Sequence, residues 1–226
     1  MKKLLLVTTL LACSSAQAAT VLGAKVGIDG WNAKTSGGVA TANNNEVDYK
    51  FDDKTQGRIW AAVEHPVPLI PNVMLSANRI KMDGKQGAST VNADLSSIDA
   101  TAYYELLDND LVSLDAGITF RKFNGEFGFS PTSKVDLDKH LWMGYGSASA
   151  SLPGIDFFAF ADLQVGLDES KVYDGQVGLG YEIDGLALDY RFRAGYREYN
   201  FDVNRFSGVN ANLKTNGVFL GLEIDF

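Results

Sequence analysis

Ten segments of this chain alternate apolar and polar residues with a period of two, running from Val21 to Phe226. That is the spacing of the two faces of a β-strand. They are Val21 to Gly30, Thr55 to Glu64, Val73 to Met82, Leu95 to Leu106, Val112 to Lys122, Leu141 to Leu152, Ile155 to Val165, Gln176 to Ile183, Leu186 to Arg197 and Lys214 to Phe226. The third is irregular: Val73, Leu75 and Ala77 share a face on which Arg79 then falls, so a bulge near Asn78 is expected to restore the register through Ile80 and Met82.

The connections alternate in length. Asp108 to Asp110, Pro153-Gly154 and Asp184-Gly185 are short, the last a two-residue hairpin signal. Trp31 to Lys54, Asp83 to Asp94, Asn124 to His140 and Asn200 to Leu213 are long, and His65 to Asn72 is an extended member of the short set. A meander with short turns at one end and long loops at the other is the pattern of outer-membrane barrels. The expected fold is therefore an all-β, closed antiparallel up-and-down transmembrane β-barrel of ten strands, with eight as the fallback if the third strand and a neighbour do not span.

Composition agrees with this. The 226 residues are 46% hydrophobic and 21% charged, with 23 Gly, 13 Phe, 9 Tyr, 3 Trp and only 5 Pro, which favours strands and turns over long helices. A net charge of −8 offers no footprint for nucleic acid. At the N-terminus, Lys2 and Lys3, the apolar run Leu4 to Ala12 and Ala16-Gln17-Ala18 read as a signal peptide over residues 1–18, leaving 19–226 as the barrel. Leu10-Leu11-Ala12-Cys13 loosely resembles a lipobox, which would acylate Cys13. Beyond Ala18 there is no run of about 18 consecutive apolar residues for a spanning helix, so a membrane role requires a closed sheet.

A soluble periplasmic lipocalin-like barrel would show the same alternation with the apolar face turned inward. Three features favour the membrane. Glycines interrupt the polar face at Gly23, Gly27, Gly117, Gly178, Gly180, Gly195 and Gly221, as a crowded lumen would need. Aromatics on the apolar face cluster near strand ends: Tyr104, Phe157, Tyr181 and Phe226 towards the short turns, and Phe120, Trp142 and Tyr196 towards the long loops, forming two girdles. Finally, Thr215, Gly217, Leu220, Leu222, Ile224 and the terminal Phe226 resemble the C-terminal assembly signal of bacterial outer-membrane barrels. The chain resembles the small outer-membrane β-barrel proteins of Gram-negative bacteria. Leu152-Pro153-Gly154, Gly180-Tyr181-Glu182 and Ala194-Gly195-Tyr196-Arg197 are similar to a gammaproteobacterial family of such barrels with no assigned function. The resemblance implies residence in the bacterial outer membrane, contact with its lipid and lipopolysaccharide, and passage through the barrel-assembly machinery as a monomer.

The polar face places Lys25, Arg58, Arg121, Arg191, Arg193 and Arg197 in the lumen with Asp29, Glu64, Asp99, Glu105, Asp115, Asp162, Glu182, Asp189, Glu223 and Asp225. Opposite charges in a narrow space are expected to pair into a plug. The acidic excess leaves open a narrow cation-preferring channel. No cofactor or metal motif and no catalytic constellation appears; His65 reads as a turn residue, Ser130, Ser133 and Ser207 as loop residues, and Asp136, Asp138 and His140 share one side of an extended segment near the outer rim, the one arrangement there that could do chemistry. The expected function is non-enzymatic: a structural or binding protein, or a very narrow pore. Phe127, Phe129, Phe201 and Phe206 in the long loops could anchor a partner or pack over the barrel mouth. A serine at Gly221, on the lumen face, is expected to be mild, and an arginine at Leu222, on the lipid face, costly.

Overall fold

The computed structural model describes residues 22–226 except 68, 110, 131, 132, 186 and 187. The proposed signal segment 1–18 lies outside the described residues. Sixteen strands follow in chain order: β1 (Gly23–Thr41), β2 (Val47–Asp48), β3 (Lys50–Phe51), β4 (Lys54–Glu64), β5 (Asn72–Arg79), β6 (Lys81–Gln86), β7 (Ser89–Asp94), β8 (Ser97–Asp108), β9 (Val112–Phe123), β10 (Gly125–Ser130), β11 (Ser133–Leu137), β12 (His140–Ser151), β13 (Phe157–Gly166), β14 (Val172–Ile183), β15 (Asp189–Phe206) and β16 (Val209–Asp225). Ten of them, in the order β1-β4-β5-β8-β9-β12-β13-β14-β15-β16, pair antiparallel as neighbours. β16 returns to β1 from Lys25↔Asp225 to Thr41↔Val209. Closure leaves no sheet edge within the barrel.

The apolar face points outward. Ile28, Ile59, Leu75, Ile98, Leu179, Phe192, Val218 and Leu220 are each exposed by 48% or more, while Asp29, Asp99, Arg121, Arg193 and Glu223 are buried inside. A polar interior and a continuous outer apolar belt are the arrangement of a transmembrane barrel and the inverse of a lipocalin-like one, which rules out the soluble alternative.

Several strands overrun the membrane. A tilted span needs about 9–11 residues, whereas β1, β15 and β16 have 19, 18 and 17. Along each, the in-out alternation continues but its polarity exchanges. On β1, Val26 and Ile28 face out and Asp29 in. Above Gly30, Trp31 and Ala33 face in and are 1% exposed, with Asn32 and Lys34 outside. On β15 the inward row passes from Arg193 and Arg197 to Tyr199, Phe201 and Val203, and on β16 from Glu223 and Phe219 to Leu213, Ala211 and Val209. Where the outer surround changes from hydrocarbon to water, the apolar residues move inside and form an ordinary hydrophobic core.

The long connections are therefore mostly sheet. β3, β6, β7, β10 and β11 form a second, five-stranded sheet, and β2 pairs with β1. Between the two layers lie Ile80, Met82, Val91, Leu95, Phe123, Phe127, Leu137, Phe201 and Phe206, each 3% exposed or less. The aromatics Phe127, Phe201 and Phe206, read as possible partner anchors, are thus buried over the barrel mouth, with Phe129 packed against them. Phe123, Phe201 and Phe206 meet edge to face at 5.5 to 5.8 Å between ring centroids. Phe206 regains the inner face through a register shift after Val203, where Arg205 takes φ 54°.

Two local expectations are corrected. There is no bulge at Asn78: β5 pairs with β4 and β8 without a shift, and burial alternates strictly from Asn72 to Met82. Arg79 is outward because it stands at the upper rim, and Ile80 and Met82 are inward because they belong to the outer core. The turn at Asp184-Gly185 is also wider than two residues, since the last β14–β15 pair is Ile183↔Tyr190. Besides the shift on β15, a register shift falls on β8 between Glu105 and Leu107. The girdle residues Tyr104, Trp142, Phe157, Tyr181 and Tyr196 are exposed by 38 to 48%, and Phe120 lies 5.1 Å from Trp142 between ring centroids.

Candidate functional site

The lumen is crossed by one closed ring of hydrogen bonds. Arg121 on β9 grips Asp99 on β8 with Nε and Nη2 at 3.0 and 2.8 Å. The same Nη2 reaches Gln164 on β13 at 2.7 Å and Asp174 on β14 at 3.1 Å. Arg197 on β15 donates to both oxygens of Asp174, at 2.9 and 2.8 Å, and to Asn78 on β5 at 3.2 Å. Asn78 closes the ring by donating to Asp99 at 3.1 Å. These strands stand on opposite walls in the barrel order, so the ring spans the bore. Two arginines against two aspartates leave it neutral, and bidentate geometry is what makes a buried pair tolerable. Tyr199 and Trp31 cover it from above: Arg121 lies 5.6 Å from the Tyr199 ring and Arg197 5.0 Å from Trp31. The outer core begins there.

Below the ring, Arg193 bonds Asp29 at 2.8 Å and stands 3.7 Å from Asp162 and from Glu223. Arg191 pairs with Glu223 at 3.2 Å and Glu182 at 3.5 Å, and Lys25 with Glu64 at 2.8 Å. Glycines admit the bulk. A Cβ at Gly27 would sit 2.3 Å from the Trp60 ring, and one at Gly180 2.1 Å from Phe158. At Gly221 it would sit 2.2 Å from Asp29 Oδ1, so Gly221→Ser would disturb a buried carboxylate, contrary to the mild effect expected from the lumen face alone.

Of the residues expected in the network, Lys25, Asp99, Arg121, Asp162, Glu182, Arg191, Arg193 and Glu223 lie in ion pairs. Three do not. Among the described residues Arg58 makes one hydrogen bond, to Met74 Sδ at 3.8 Å. Asp115 has no hydrogen-bond or ion-pair partner among the described residues. Asp189, the first residue of β15, turns instead to the adjoining loop, accepting from Gly185 N–H at 2.9 Å beside Glu182 and Asp184. Sequence reading missed two residues of the ring: Asn78, expected at a bulge, and Asp174, the acid shared by both arginines. Asp174 falls before the expected start of its strand, although Val172, Asp174 and Gln176 keep the inward parity of β14.

A cavity of about 120 Å³ lies beneath the ring. Exposure shows which way it faces. The side chains of Arg121 and Asp99 are 2% exposed, whereas Lys25 and Glu182, nearer the short turns, reach 24% and 33%. The bore is closed at the long-loop end and opens towards the short turns. At the outer rim, Asp136, Asp138 and His140 are all exposed and do not bring their ligand atoms within 4.8 Å of one another. Among the described residues, the carboxylate cluster of metal-binding proximity is Glu182, Asp184 and Asp189. His65 is a turn residue, its ring nitrogen 3.2 Å from Pro71 O.

In the C-terminal pattern, Gly217 faces in and Leu220, 71% exposed, faces out. Leu222 and Ile224 continue the outer row, and Phe226, 57% exposed, donates its N–H to Ala24 O at 2.9 Å.

No protein-family model and no curated protein matches the sequence. Among solved structures, the chain is similar to the outer membrane protease OmpT from Escherichia coli, with a TM-score of 0.49, 12% identity and 93% of this chain matched to 100% of that one. It is similar also to Neisserial surface protein A, at a TM-score of 0.35 and 16% identity over 90% and 97% of the two chains. OprG from Pseudomonas aeruginosa gives 0.34 and 12% over 91% and 95%. The architecture of this chain is that of a small outer-membrane β-barrel, a conclusion resting on its own closed strand pairing and outward apolar belt.

Proposed function

We propose that this is an integral, non-enzymatic protein of the bacterial outer membrane, exported by a cleavable signal peptide, whose barrel is sealed and anchors a rigid β-structured extension on the outer side. The observation that carries this reading is the ring of Asp99, Arg121, Asp174, Arg197 and Asn78 lying directly under the outer apolar core. An ion would have to break paired charges and then cross desolvated side chains, each step costly. The apolar belt meets lipid and, in the outer leaflet, lipopolysaccharide, and the terminal pattern ending on Phe226 is read by the assembly machinery. OmpT is a protease; at 12% identity nothing of its activity transfers.

The test is planar-bilayer conductance of the folded protein. Silence is expected. Stable cation-selective steps, reduced by Asp162→Asn, would replace this reading by the narrow channel, and cleavage of a peptide library by the purified protein would overturn the non-enzymatic part.

A further inference from the structure

The geometry points to the cavity beneath the ring as a binding site for a small primary ammonium ion with a short apolar body, entering from the short-turn end. Five carboxylates line this cavity, and four are engaged. Lys25 and Tyr103 hold Glu64, Ser147 and Gln176 hold Asp162, Arg121 and Arg197 hold Asp174, and Arg191 and Arg193 lie against Glu223. Asp115 is the fifth, and it has no hydrogen-bond or ion-pair partner among the described residues. A second acceptor is also unused. Gln176 is 6% exposed, its amide is oriented by an Nε2 bond of 2.6 Å to Asp162, and its Oε1 is buried without a partner. Asp115, Ser147, Asp162 and Gln176 are successive cross-strand partners on β9, β12, β13 and β14, forming one row around the wall. Unused acceptors in a cavity call for a donor.

The surroundings define the rest of the ligand. Tyr103 and Tyr145 are both cross-strand partners of Gly117, the next inward residue above Asp115. Their rings meet edge to face at 5.8 Å over a glycine where a Cβ would come within 2.8 Å of Tyr103 Cβ. Aromatic rings beside a free carboxylate suit an organic cation. Trp60, Ala62, Met74 and Phe158 supply an apolar wall. A volume of about 120 Å³ compares with the ~150 Å³ cavity that admits benzene, so the ligand has roughly five or six non-hydrogen atoms. Glu105, Glu182 and Asp225, set on the inner face near the mouth by their register with Asp115, Arg191 and Lys25, favour cation entry. Arg58 stands higher, paired across strands with Asp29 and Asn78.

This site presupposes the closed outer end proposed above, but the two can fail separately. The test is calorimetric titration of the full-length folded protein in detergent micelles with n-butylammonium, n-butanol and n-butyrate as probes. Saturable binding is expected for n-butylammonium alone, weakened at least tenfold by Asp115→Asn and several-fold by Tyr145→Leu. Equal binding of n-butanol, unchanged affinity in Asp115→Asn, or tighter n-butyrate binding abolished by Arg58→Gln would each overturn the proposal. Should Asp115→Asn not fold, the three probes on the unaltered protein still decide. Conductance of the same preparation separates the two failures: open steps refute the seal, and a silent barrel that ignores n-butylammonium refutes only this site.

Discussion

Replacing Arg121 by methionine removes one cation from the centre of the barrel while keeping much of its volume. Arg121 is 1% exposed and makes two bonds to Asp99 and one each to Gln164 and Asp174. Removing one partner of a buried pair typically costs about 3–5 kcal/mol, because the other charge is left uncompensated. Here Asp174 keeps both bonds from Arg197, and Asp99 keeps Asn78 and Ser97, each at 3.1 Å. The loss should therefore fall at the lower end, about 3 kcal/mol. If the cost comes from the stranded carboxylate, the double variant Arg121→Met/Asp99→Leu should regain at least half of it. The assay is urea unfolding in lipid vesicles, followed by tryptophan fluorescence and by the mobility of unboiled samples, with stability taken from midpoint and slope. A single variant within about 1 kcal/mol of the unaltered protein would mean that water reaches the ring and screens it, as for exposed pairs. A double variant less stable than the single one would refute the stranded-charge reasoning itself.

Four further outcomes follow from the same structure. Leu220→Arg, on the outer face of β16, should cost about 2–4 kcal/mol at the bilayer midplane. Gly221→Ser should also destabilise, by displacing Asp29 from Arg193, and the same urea titration ranks both against Asn212→Ser, at an exposed position of the outer extension. Asp83 is held below the usual carboxylate range by its bond from Lys54. Asp94 is held there too, burial pushing it up but bonds from Lys81 and Ser96 overriding this. Folded values below unfolded ones give stability that is complete above the ordinary aspartate value of about 3.9. It is lost as the pH falls through the depressed values, so the protection of β6 and β7 amides, measured against their intrinsic exchange rate at each pH, should fall at pH 3, modestly because these pairs are partly exposed. Deleting Phe226 removes the N–H bonded to Ala24 O beside the closing β1–β16 pair; the amount of folded barrel in the outer membrane should drop while export across the inner membrane is unchanged.

The barrel was legible in the sequence because each of its strands has lipid on one side and the lumen on the other, and a period of two records that difference directly. Strand number, the outward row Val218, Leu220, Leu222, Ile224 and the girdle positions followed from local pattern alone. The strand extensions were not legible for the same reason. Above Gly30 the alternation persists but changes polarity, so Trp31 and Ala33 looked like the end of a strand, and Arg79 looked like a fault requiring a bulge. Sequence shows which residues share a face. It does not show where the surround changes from hydrocarbon to water, and only that boundary tells whether an apolar face should point out or in.

The candidate site divides in the same way. Inward parity determined which charges enter the lumen, since side-chain direction is a property of the strand itself. Their partners were decided by curvature and closure, which bring β9 opposite β14 and β15 opposite β5. Asp174 therefore became the shared acid of the ring, while Asp115, in a comparable position on its own strand, was left unpaired. A charge's place on a strand is local, but the charge it meets across the bore lies dozens of residues away, and only the closed barrel sets that distance.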